Sequence, residues 1–280
     1  TYRSDVVSAI GFGGICVTDE DPASARRIVA RAIERGVDYF DVAPSYGNAE
    51  ERLGPALQPY RNDVFLACKT NAREAAGARE EFDRSLRNLR TDRFDLYQIH
   101  GIESMDEVDR VLDSDGVYRF LHQLKREGRI RYIGFSAHNE EAALRLIREG
   151  EFDSVMFPIN RYTWHVGTVG RRLLEEARSR SIEVIALKAL AHRRWYEGEK
   201  RRWSKPWYKP VDTPRDAELG VRFTLSRPVC TAISPGHEEL LWWACDAADR
   251  FRPLSEEEEN EIAAAANVDS PVFSERVTAI

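Results

Sequence analysis

The 280-residue chain has only four cysteines, Cys16, Cys68, Cys230 and Cys245, and no two of them lie close in sequence. That scatter excludes a disulfide framework and the paired spacing of a zinc site, so reduced, buried side chains and no metal are expected. No apolar run approaches the roughly 20 residues that a membrane-spanning helix needs. Nothing at the amino end reads as a leader, basic then apolar with a small-residue cleavage site, and a cytoplasmic chain with no membrane partner is expected. A basic field is missing too. Against 41 Lys and Arg stand 47 Asp and Glu, a net charge of −6 with the signs interspersed, which gives a phosphate backbone nothing to bind and argues against a nucleic-acid partner. The most basic stretch, 193–209, interleaves its charges with Trp195, Trp203 and Trp207. Aromatics among cations can stack bases, but a loop covering a substrate is the reading taken.

What is present is alternation. Short apolar, β-branched runs at 37–42, 64–69, 94–100, 132–136, 155–160, 182–187 and 230–234 are separated by stretches of helical period at 22–35, 73–89, 117–126, 139–148, 169–180 and 213–225. Asp21-Pro22 supplies an N-cap followed by Pro at the first helical position, and Gly36 and Gly128 sit where C-terminal caps fall. With an opening strand before Gly11 the count is about eight strands. No linker rich in Pro, Gly or Ser divides them, so one domain over 1–280 is expected. Repeated strand-helix units demand a parallel sheet, either a closed barrel or a doubly wound open one. Gly11-Phe12-Gly13-Gly14 lacks the third glycine of a dinucleotide fingerprint, position 16 being Cys. The glycines therefore favour the (β/α)8 TIM barrel.

In such a barrel the carboxyl ends of the strands carry the active site. Polar residues recur there: Asp41, Lys69, His100, Ser136, Asn160, Lys188 and Ser234. Tyr46 follows Asp41 by five residues in a loop that leads into a helix near Asn48. Together Asp41, Tyr46, Lys69 and His100 make a working catalytic set: a phenol, an ammonium that favours phenolate, a carboxylate that holds the ammonium, and an imidazole that can orient a carbonyl.

Five phrases add a resemblance: Gly11-Phe12-Gly13-Gly14, Asp41-Val42-Ala43-Pro44-Ser45-Tyr46-Gly47, Leu66-Ala67-Cys68-Lys69-Thr70, Leu96-Tyr97-Gln98-Ile99-His100 and Ile133-Gly134-Phe135-Ser136. In order and spacing they look like successive signatures of the aldo-keto reductases. The likeness continues through Ile185-Ala186-Leu187-Lys188-Ala189-Leu190, where members often read I-A-M-K-P-L, to Ser234-Pro235-Gly236 and Pro253-Leu254-Ser255. The resemblance implies a barrel that binds NADPH or NADH across its strand ends and passes hydride to a small-molecule aldehyde or ketone. Tyr46 would be the proton donor, Lys69 would lower its pKa toward neutrality, Asp41 would hold Lys69, and His100 would hydrogen-bond the carbonyl. It assigns the cofactor to Gly14, Ser136, Met156, Leu187, Lys188, Leu190, Ser234 and Gly236, with Lys188 nearest the pyrophosphate. Three positions depart from the family: Ala137 stands for an Asn, Met156 for a Gln, and Leu187 for the ring-stacking aromatic.

Two other readings compete. A regulatory protein could keep the fold and the nucleotide with little turnover, as the potassium-channel beta subunits of this family do, and a barrel aldolase could use Lys69 or Lys188 as an imine-forming amine. The complete tetrad favours the reductase. Near parity of NADH and NADPH is expected, because the helix after Gly236 opens with Glu238 and Glu239 and has no basic residue before Arg250, leaving Arg227 or Arg250 as the candidate hidden cations. Loops 101–116 and 191–210 are expected to set specificity, the second as a lid, in a monomer or small homo-oligomer.

Overall fold

Parallel strands close into an eight-stranded barrel in the computed structural model, which describes residues 2–166, 169–266 and 272–273. The first seven are β1 (Ile10–Gly13), β2 (Tyr39–Asp41), β3 (Phe65–Thr70), β4 (Phe94–Ile102), β5 (Ile130–Ala137), β6 (Ser154–Pro158) and β7 (Glu183–Leu187). A hairpin of β8 (Ala191–Arg194) and β9 (Tyr208–Pro210) then leaves the barrel, and β10 (Thr231–Ile233) closes it between β7 and β1. The expected TIM barrel is thus the observed fold, with every strand read from sequence present and no end displaced by more than three residues.

The two-residue period of a strand explains how one set of residues serves two cores. Tyr39, Phe65, Ala67, Leu96, Met156, Ile185 and Ile233 point inward and pack with one another, while Phe40, Leu66, Cys68, Tyr97, Ile99, Phe135, Val155 and Phe157 point outward under the helices. Tyr2 plugs the floor, its ring 5.0 Å from those of Phe65 and Tyr132. The opening strand runs through the glycines instead of ending before them. A Cβ at inward-facing Gly11 would meet Ile233 at 2.6 Å, so this glycine answers to barrel packing and not to a phosphate.

Helices α1 (Pro22–Glu34), α2 (Ala49–Leu57) and α3 (Ala75–Leu89) follow the first three strands. After β4 come α4 (Met105–Leu112) and α5 (Val117–Arg126), then α6 (Glu140–Glu149), α7 (Arg161–Val166) and α8 (Arg171–Ser179) around β6, α9 (Pro214–Leu225) before β10, and α10 (Glu238–Asp249) and α11 (Glu256–Ala265) last. Asp21 caps α1 by accepting from Ala23 N and Ser24 N, and Gly36 and Gly128 take φ of +78° and +71° just past α1 and α5, as the sequence predicts. Sequence reading passes over α4, which occupies much of loop 101–116, because it is eight residues long and buries only Val108 and Val111. It also passes over α11, whose capping box joins Ser255 to Glu258 and whose Glu258 pairs with the fully buried Arg222 of α9 at 2.7 Å. Among the described residues no helix is long and apolar enough to cross a membrane.

Candidate active site

The inward parity that fills the barrel with apolar side chains delivers polar ones at its carboxyl rim. Asp41 ends β2, Lys69 is the next-to-last residue of β3, and Gln98 of β4 stands beside Lys69 in register. Lys69 is fully buried and Asp41 is 2% exposed. The Lys69 ammonium donates to Asp41 Oδ2, to Val42 O at 3.3 Å and to the Tyr46 hydroxyl at 3.4 Å. Asp41 Oδ1 accepts from Gln98 Nε2 at 3.2 Å. Tyr46 comes from the turn before α2, held by backbone bonds Tyr46 N to Ala43 O and Ala49 N to Tyr46 O. Its ring lies 5.6 Å from that of His100, edge to face. All four residues of the sequence-derived set therefore meet at one place.

Electrostatics divides their roles. Burial works against the Lys69 ammonium, but the neighbouring Asp41 carboxylate and Tyr46 oxygen outweigh it and hold the proton on Lys69 more tightly than usual. A lysine so clamped is a poor imine-forming amine, which removes half of the aldolase reading. Burial pushes Asp41 up, opposed by Lys69; of the two, lysine is the stronger base and keeps the proton, so the pair is ionic. Tyr46 corrects the sequence expectation. Burial raises its phenol more than Lys69 lowers it, so the pKa lies above the ordinary value and not near neutrality. The phenol is consequently protonated at neutral pH. His100 is pushed down to about 2, by burial first and then by the charge of Lys69, and stays a neutral imidazole.

His100 is held by residues that sequence reasoning misses. Its Nδ1 lies 2.9 Å from Asn71 Oδ1 and 3.3 Å from Ser45 Oγ, and Arg73 binds its carbonyl oxygen at 2.9 Å. With Asn71 Oδ1 accepting, Nδ1 carries the proton and Nε2 is a lone pair. A half-turn of the Asn71 amide presents Nδ2–H instead and moves the imidazole proton to Nε2, making that nitrogen the donor. Gln98 had a legible signal, two residues before His100 on one strand face; Asn71, in a loop, had none.

A cleft runs from this cluster across the rim. Asp41, Tyr46, Leu187, Lys188, Ser234 and Gly236 line it together with Lys205, Trp207 and Tyr208 from loop 191–210. Of the eight residues assigned to the cofactor, Leu187, Lys188, Ser234 and Gly236 thus face the cleft. The other four sit elsewhere. Met156 packs in the inner core, Leu190 lies in the outer core, Gly14 rests against the Asp41 backbone, and the Ser136 hydroxyl accepts from Gly101 N at 2.7 Å. The three tryptophans of the loop also part company. Trp207 is half exposed at the cleft, whereas Trp203 is 1% exposed and donates to Glu239 of α10, and Trp195 donates to Pro206 O.

Beyond Gly236, α10 presents its amino end beside a cavity lined by Arg31, His237, Glu238, Glu239, Trp242, Trp243 and Asp246. Cations do reach this helix, but not those expected. Arg227 pairs with Glu259 at α11 instead. Arg27 binds Glu238 at 3.1 Å and Arg202 binds Glu239 at 2.8 Å. All four cysteines are free thiols, three of them buried and Cys230 partly exposed. Among the described residues no group of three or more His, Cys, Asp and Glu is placed to hold a metal.

The sequence model of the Aldo/keto reductase family matches residues 9–265. Uncharacterized oxidoreductase YqkF of Bacillus subtilis (strain 168) is 31% identical over 170 residues, 56% of this chain and 53% of that protein, so the chain spans about half the length of this curated relative. Among solved structures, aldo-keto reductase AKR11C1 from Bacillus halodurans in its holo form shares 25% identity over 92% of each chain with a TM-score of 0.73. Its apo form shares 26% over 94% of each with a TM-score of 0.69. A barrel common to both forms of that enzyme, and a family match spanning nearly every element described above, place the chain in one lineage: it belongs to the aldo/keto reductase family.

Proposed function

We propose that this chain reduces an aldehyde or ketone to its alcohol with a nicotinamide cofactor, Tyr46 giving the proton. One observation carries the reading: a protonated phenol at the cleft wall lies 3.4 Å from an ammonium that is locked to a buried carboxylate. The lining of the cleft suits a dinucleotide, although its volume of about 60 Å³ means that Lys205 to Tyr208 would have to move aside to admit one. It passes from Tyr46 along Leu187 to the narrow strip at Ser234 and Gly236, where a Cβ on Gly236 would meet Ile15 at 2.2 Å, and on toward the amino end of α10, whose dipole favours anions. When bound, the cofactor supplies the hydride. Leu187, Ser234 and Gly236 would hold it, with Gly14, Ser136, Met156 and Leu190 supporting the rim behind them.

The chain's own residues do the rest. A carbonyl oxygen placed between Tyr46 and His100 receives the phenolic proton as negative charge develops on it. Lys69 stabilises the phenolate left behind and Asp41, fixed by Gln98, keeps Lys69 charged and aimed. His100 acts as a neutral hydrogen-bond donor through Nε2, which requires the Asn71 amide to present Nδ2–H. Trp207 and Tyr208 exclude water from one side. Aldehyde-dependent oxidation of NADPH or NADH, with 4-nitrobenzaldehyde as substrate, tests the proposal. Tight nucleotide binding without turnover on a panel of aldehydes, ketones and sugars would leave the regulatory reading standing instead.

A further inference from the structure

Among the described residues of the cleft, Lys188 carries a charge that no carboxylate matches. It follows β7 with φ of +65°, a left-handed backbone that residues other than glycine seldom adopt, and so is held in place at some conformational cost. Its ammonium lies under two rings, 5.2 Å from the centroid of Trp207 and 4.8 Å from that of Tyr208. The other charges of the cleft are paired, Asp41 with Lys69 and Lys205 with Glu20 at 2.7 Å. The cleft therefore carries one surplus positive charge. A cation over aromatic faces is attracted but not neutralised, so it remains available to an anion.

Lys188 lines the same cleft as Tyr46 on the substrate side and as Ser234 and Gly236 on the other. Lys188 contributes to pushing down the imidazoles of His100 and His138, the latter to about 4, and its own amine is pushed down to about 8 by burial first and Lys69 second. Its field thus reaches the rim of β4 and β5, where His100 would meet a carbonyl, and its side chain shares the cleft with Ser234. We propose that Lys188 anchors an anionic substituent of the substrate, making carboxylate-bearing carbonyl compounds the favoured class. A neutral analogue of the same shape gains nothing from the ammonium. This inference rests on the reductase reading of the same cleft, deepens it, and replaces the pyrophosphate contact expected of Lys188 from sequence.

The test compares 4-carboxybenzaldehyde with its methyl ester in wild type, Lys188→Asn and Lys188→Arg. Asparagine tolerates the left-handed backbone, so the first variant removes charge with little strain. Wild type is expected to favour the carboxylate by about ten-fold or more in kcat/KM, through KM, and Lys188→Asn to abolish most of that ratio while Lys188→Arg keeps it. A wild-type ratio near one overturns the proposal without any variant. So does a ratio unchanged in Lys188→Asn, above all if tryptophan-quenching titrations show that the variant binds NADH and NADPH about ten-fold more weakly, which would assign the charge to the diphosphate. Should neither aldehyde turn over, the reductase reading fails and binding decides. Benzoate affinity, measured calorimetrically with NAD+ present, must then exceed that of benzyl alcohol and fall in Lys188→Asn; equal affinities would sink the anchor as well.

Discussion

Replacing Lys69 by Met keeps the length of the side chain and removes its charge, with two consequences whose size the structure sets. The ammonium stands 3.4 Å from the Tyr46 oxygen, where an effective dielectric of about 20 gives roughly 5 kcal/mol of attraction to a phenolate, an upper limit of some 3 to 4 pKa units. Solvent and relaxation around the vacated site absorb part of it, while Asp41 is present in both proteins and cancels, so a net rise of about two units is expected. Tyr46 already lies above its ordinary value in the wild type. Alcohol oxidation, which draws on the phenolate, should therefore still be climbing at pH 9 in wild type, and at that pH two units cost the variant about 100-fold. The second consequence concerns Asp41, which is 2% exposed and would be left with Gln98 alone. An uncompensated buried charge costs about 3 to 5 kcal/mol, and Asp41→Asn in the same chain should restore part of it. Oxidation rates at fixed pH and urea denaturation of the two single variants and the double read both effects. A loss of less than about three-fold at pH 9, where chemistry limits the rate, refutes the electrostatic link to Tyr46. Stabilities additive within about 0.5 kcal/mol refute the ion pair.

Tyr46→Phe is expected to lower carbonyl reduction by about 100-fold to 10,000-fold with nucleotide affinity nearly intact, and a variant keeping a third of wild-type turnover would move the proton donor elsewhere. His100, held neutral with a pKa pushed down to about 2, should add no inflection to the kcat/KM profile between pH 5 and 8; an inflection there that His100→Gln abolishes contradicts its neutral role. Because Arg27 and Arg202 are engaged by Glu238 and Glu239, NADH and NADPH should bind within about ten-fold of each other. Glu239→Gln, which frees Arg202, should shift the balance toward NADPH by a further factor of about ten, and titrations showing no shift would exclude Arg202 from the nucleotide site. Loop 191–210 is pinned by Glu199, which takes both Arg193 at 2.7 Å and Lys209 at 3.0 Å. Saturating nucleotide should slow proteolysis there, and identical cleavage with and without ligand counts against closure.

Which features are legible in sequence depends on the range of the forces involved. Strand periodicity is local, and it places Asp41, Lys69 and His100 on the inner face at the rim before any coordinates are known. Gln98 obeys the same parity and was equally readable, but a lone amide announces no chemistry until it is seen holding Asp41. Asn71, Trp207 and the arginines at α10 reach their targets from other segments: Arg27 is 211 residues from Glu238 and Arg202 is 37 from Glu239. No pattern in one segment specifies such meetings, and so the helix that looked devoid of cations is in fact paired with them. The pKa of Tyr46 shows the limit most clearly. The sign of a neighbour's charge can be read from residue type, and Lys69 does pull the phenol down. Burial depends on everything packed around the group, and here it wins. The same asymmetry applies to Lys188, whose charge was plain in sequence but whose lack of a carboxylate partner among the described residues emerges only once Asp41 and Glu20 are found engaged elsewhere.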